Sequence, residues 1–110
     1  MKQLKFRCWN GEQMVSPDYI TREGIAWWKE DSIPTSNSHI MQFTGLLDKH
    51  NKEIYEADIL EGFDYPVGFM EGAFGCRILY DQIFLTLHNC PQKELLVLGN
   101  VYENPELLIK

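Results

Sequence analysis

Positive charge is scarce in this chain: 10 Lys and Arg stand against 16 Asp and Glu, a formal net charge of -6 with pI near 4.9. A protein held on DNA or RNA by phosphate neutralisation needs the opposite surplus on one face, so nucleic acid is not expected as its main partner. Cysteine is also sparse. Cys8, Cys76 and Cys90 are odd in number, include no Cys-x-x-Cys pair and match no spacing of a structural zinc site, so reduced thiols and no metal are expected. No apolar run approaches the length of a bilayer span, and the N-terminal Met1-Lys2-Gln3-Leu4-Lys5-Phe6-Arg7 has charge without the apolar stretch of a secretory signal. The expectation is a cytoplasmic protein with no membrane contact.

The usual marks of catalysis are missing as well. Gly-x-Ser-x-Gly does not occur, and no cysteine sits in a context that would activate a thiolate. Gly72-Ala73-Phe74-Gly75 is too short for a phosphate loop and has no Lys or following helix. No cofactor is expected. There is no internal repeat and no low-complexity tract. What remains is a chain of 110 residues, 45% apolar and 13% aromatic, which is the size and composition of one folded domain over residues 1–110.

Short strands dominate the pattern. From Lys2 to Trp9, Leu4, Phe6 and Cys8 alternate with Gln3, Lys5 and Arg7, the period of a half-buried strand, and the basic members fall on its wet face. Asn10-Gly11 then favours a two-residue hairpin turn returning through Gln13, Met14 and Val15. Tyr19 to Asp31 reads as a strand, and Ser32 to Ser38, with Pro34 among Ser, Thr and Asn, as an exposed loop. His39 to Thr44 places Met41 and Phe43 on one face, and Gly45 permits a change of direction. Leu46-Leu47 and Ile54-Tyr55 flank a polar tip, Asp48 to Glu53, in which Asn51 accepts a left-handed conformation and His50 is exposed.

Gly62 to Gly75 reads as a long connection whose aromatics fold back on the core. Cys76 to Asp81, Ile83 to His88 and Leu95 to Leu98 read as further strands. Asn104 as N-cap, Pro105 at the first helical position and Glu106 in the first turn start a short helix, with Leu107 and Leu108 free to dock on a sheet. Strands at this spacing predict a mainly β domain, a small barrel or roll with an N-terminal β-hairpin and a short C-terminal helix.

Two features invite a functional reading. Glu56 and Asp58 are carboxylates two residues apart beside Tyr55 and near Lys52, the start of a metal-dependent hydrolase or nuclease site, yet no third acidic ligand is placed with them. Capping of a turn by one and solvation of the other is the stronger reading. Trp27 and Trp28 are adjacent, so on a strand they face opposite sides and one can be exposed for protein contact; burial of both competes with this. The three His, His39, His50 and His88, fall on different elements. An acidic decoy imitating DNA would need carboxylates arrayed at phosphate spacing, whereas here they are dispersed among Lys. No catalytic residue is assigned.

Three blocks carry a family resemblance: Lys5-Phe6-Arg7-Cys8-Trp9, the stretch from Met41 to Leu60, and Gly99-Asn100-Val101-Tyr102-Glu103-Asn104-Pro105-Glu106-Leu107. In order and spacing they resemble the YopX family of small phage and prophage proteins. The resemblance implies an SH3-like β-rich fold, homo-oligomeric assembly, and a non-catalytic accessory protein in the bacterial host, working on itself or on a host or phage protein. Family members commonly carry Asn-Gly in place of His50-Asn51 and Gly in place of Ala57. Because alanine does not take positive φ comfortably, Ala57 implies either an ordinary backbone there or a different local path.

Overall fold

A computed structural model describes residues 4–17, 19–23, 26–28, 31–35, 40–63, 65–70, 72–78 and 83–108, with backbone alone at 19, 26–28, 31–35 and 78. The chain is mainly β, and its contacts divide it into two compact units, Leu4–Gln42 and Phe43–Lys110.

The first unit opens with the expected hairpin, β1 (Phe6–Trp9) against β2 (Met14–Val15). Its turn differs from expectation. Trp9 pairs with Met14, so four residues form the loop, because the Asn10 side-chain carbonyl accepts the N–H groups of Glu12 and Gln13 at 2.8 and 2.9 Å. Such an Asx turn lengthens the loop while Gly11 takes φ 102°. The inward alternation holds at Cys8, fully buried, and fails at Leu4, which is 65% exposed. The Tyr19 to Asp31 segment is a hairpin rather than one strand: β3 (Tyr19–Ile20) pairs with β4 (Ala26–Trp28). The predicted Ser32 to Ser38 loop is corrected in its first half by β5 (Asp31–Thr35), while 36–38 lie outside the described residues. β5 is at the edge of the order β3-β4-β5, where Pro34 lacks an N–H without breaking a ladder. β6 (Ile40–Leu47) pairs its first residues with β1, placing Arg7 opposite Met41.

The second unit continues β6 into a hairpin with β7 (Glu53–Tyr55), Phe43 opposite Tyr55 and Leu47 opposite Glu53. The register slips between these pairs, where Gly45 sits at φ 87° and Thr44 donates its hydroxyl to the Ile54 carbonyl at 2.7 Å and accepts from the Leu46 N–H. Glycine supplies the positive φ that a bulge requires. β8 (Asp58–Leu60) is buried throughout and pairs with β12 (Val97–Asn100).

The segment read as a long connection is not one. It holds β9 (Gly68–Met70) and the start of β10 (Ala73–Ile78), joined tightly where Met70 pairs with Ala73 and Gly72 takes φ 83°. β11 (Ile83–Thr86) completes the order β11-β10-β9 and gives way to a 3-10 turn at Leu87–Asn89 instead of continuing to His88. The C-terminal helix is one 3-10 turn, Pro105–Leu108, with Leu107 37% exposed.

Ile54, Leu60, Val67, Cys76, Leu87 and Leu95 form the core of this unit, with Leu46, Phe63, Cys90 and Val97 packed around them. Burial of such side chains contributes about 1.5–3 kcal/mol each for the larger aliphatics. Among the described residues no helix is long and apolar enough to cross a membrane.

Candidate functional site

The Glu56–Ala57 turn between β7 and β8 is closed by hydrogen bonds that include one to the Asp58 carboxylate. Asp58 is 1% exposed, and its Oδ2 accepts the Tyr55 N–H at 2.8 Å, so this side chain closes the turn. Its backbone carbonyl accepts from the Val67 N–H at 2.8 Å. Glu56 is half-buried at the turn itself. No group of three or more His, Cys, Asp or Glu among the described residues is placed to hold a metal ion.

Ala57 answers the sequence question in a third way: it keeps the left-handed backbone, φ 73°, without glycine. Two hydrogen bonds hold it there, from its N–H to the Val67 carbonyl at 2.9 Å and from the Val101 N–H to its carbonyl at 3.0 Å. An L side chain in this region costs about 1–2 kcal/mol, only part of which glycine's extra unfolded-state entropy offsets. Ala57→Gly is therefore expected to stabilise the protein by about 0.5–1 kcal/mol. In urea unfolding the midpoint rises and the slope stays the same; an unchanged or lower midpoint would show that the backbone here is not strained.

A second hub occupies the polar tip between β6 and β7. Asp48 is 1% exposed. Its Oδ1 accepts the N–H groups of His50 and Lys52, both at 2.9 Å, and its Oδ2 accepts the Val97 N–H at 3.0 Å. Burial pushes this carboxyl up, but the three backbone donors from Val97, Lys52 and His50, with the His50 charge, outweigh it and hold its pKa below the ordinary aspartate value. Gln92 donates to the Asp48 carbonyl and to Asn51 Oδ1, and the Lys49 N–H reaches the Leu95 carbonyl at 2.7 Å. Asn51 takes φ 66° and His50 is exposed, as read from the sequence.

The third sequence block folds as a closed loop. Asn100 is 6% exposed; its Oδ1 accepts from the Tyr102 and Glu103 N–H groups and its Nδ2 donates to Glu103 Oε1. Asn104 does not cap the helix with its side chain. Its Oδ1 turns back to accept the Asn100 N–H at 3.2 Å, filling the space a Cβ at Gly99 would need.

In each of these three hubs a side-chain oxygen accepts a backbone N–H. An exposed apolar face that the sequence analysis did not single out lies on the β11-β10-β9 sheet. Directly paired residues share a face, which groups Phe69 with Phe74 and Cys76 with Leu85, and Ile83 follows Leu85 by the strand period. Cys76 points into the core, while Phe69, Ile83 and Leu85 carry the same apolar face into solvent at 56, 45 and 36% exposure. The Phe69 and Phe74 rings meet edge to face at 4.9 Å. The available signal was the apolar alternation Ile83-x-Leu85, obscured because Phe84 between them is apolar too.

Trp27 and Trp28 lie on β4, with Trp27 opposite Tyr19 and Trp28 opposite Asp31; their side chains and His39 lie outside the described part. His88 is exposed in the 3-10 turn. All three cysteines are free. Burial and the nearby Cys90 push the Cys76 thiol up to about 12, and burial also raises Cys8 and, with Glu94, Cys90. At neutral pH these thiols are protonated and weakly nucleophilic.

Comparison with solved structures finds protein EF1440 from Enterococcus faecalis, 27% identical with TM-score 0.64, covering 98% of this chain and 99% of that one. Protein yopX from Bacillus subtilis is 24% identical with TM-score 0.63, covering 96% of each chain, a likeness of fold. Comparison with curated proteins finds no match. The family model described as YopX protein matches residues 5–109, nearly the whole length and all three blocks, and the chain belongs to the YopX family.

Proposed function

We propose that this chain is a non-catalytic phage or prophage accessory protein that works by protein–protein contact in the bacterial cytoplasm. It assembles first with further copies of itself, and a host or phage protein is the alternative occupant of the same surface. The observation that carries the reading is the apolar face of Phe69, Ile83 and Leu85, which continues a core-lining face of the β11-β10-β9 sheet outward with no polar side chain on it among these residues. Apolar surface of this kind marks contact sites, and the exposed aromatic adds the side-chain type favoured at them. The acidic balance of the whole chain supports a protein over a nucleic acid as partner.

Native mass measurement tests this directly. The wild-type chain is expected as a defined oligomer, and Ile83→Lys with Phe69→Ser as a monomer with unchanged far-ultraviolet circular dichroism. If the wild type is monomeric, a reproducible host protein captured by the wild type and lost with the variant would support the alternative occupant. A monomer that captures nothing would overturn the proposal. Hydrolysis of nucleic acid with added magnesium, abolished by Glu56→Gln in a folded protein, would also overturn it and move the function to the Glu56–Asp58 turn.

A further inference from the structure

We draw no further inference here: the strongest candidate, the Cys76 and Cys90 thiols that share the core of the C-terminal unit, carries nothing, because burial keeps both protonated and no third metal-ligating side chain joins them among the described residues.

Discussion

Asp48→Ala is expected to lower the unfolding free energy by roughly 3–5 kcal/mol, a large share of what a domain of this size possesses. The carboxylate accepts three backbone N–H groups, from His50, Lys52 and Val97, and hydrogen bonds to a charged group are about twice as strong as neutral ones. Removing it leaves those donors without their acceptor, and the Val97 donor lies in the strand that covers β8. The same carboxylate sets an acid dependence. Its folded pKa lies below the unfolded value, so its contribution is complete above about pH 4 and is lost as pH falls through the folded pKa. Urea titrations at pH 7 and pH 3 on wild type, Asp48→Ala and Asp48→Asn separate the two effects. The Asn variant keeps the shape and loses this part of the pH dependence. A loss below 1 kcal/mol for Asp48→Ala at pH 7 would show that the turn is held by something else.

Gly75→Ala is expected to cost about 3 kcal/mol, at the upper end for overpacking by one methyl group. Gly75 pairs with Thr86 in the central strand of its sheet. A Cβ there would collide with the Leu85 carbonyl oxygen and stand 2.8 Å from two ring carbons of Phe84. The ring can turn aside, but the carbonyl belongs to the paired strand, so relief requires β10 and β11 to separate. Gly68, in the neighbouring strand, meets nothing within 4 Å and provides the control: Gly68→Ala is expected to be close to neutral. Hydrogen exchange then shows lost protection at β11 in the Gly75 variant alone. Equal effects of the two substitutions would point to glycine propensity rather than to collision.

How far the sequence was legible depends on where each residue's partners lie. Met41 and Phe43 were read correctly, at 2 and 5% exposure, because strand alternation is a property of neighbours. Asn51 was read correctly for the same reason: its left-handed backbone answers a local turn. Asp48 was legible only as part of a polar tip, since its buried role depends on Val97, 49 residues away, which donates to it. β5 was obscured by Pro34, which only its edge position makes tolerable, and β9 by the glycines around it. For the candidate surface, Phe69, Ile83 and Leu85 were visible as apolar residues, but their exposure depends on what fails to cover them. Of the Glu56 and Asp58 pair, Asp58 accepts a turn hydrogen bond from the Tyr55 N–H, a role its position just after the turn made legible.

Family resemblance and independent folding part company at the Asp48 turn. The stretch from Met41 to Leu60 is the most recognisable in the chain, yet its turn is completed by Gln92, Leu95 and Val97. Closing loops of this length costs entropy before any contact offsets it, so the β6–β7 hairpin should be secured only when β12 arrives. A synthetic peptide of residues 40–60 would carry the family's whole central block and remain a random coil, and shortening the chain before Gln92 would loosen a turn more than 40 residues upstream of the cut.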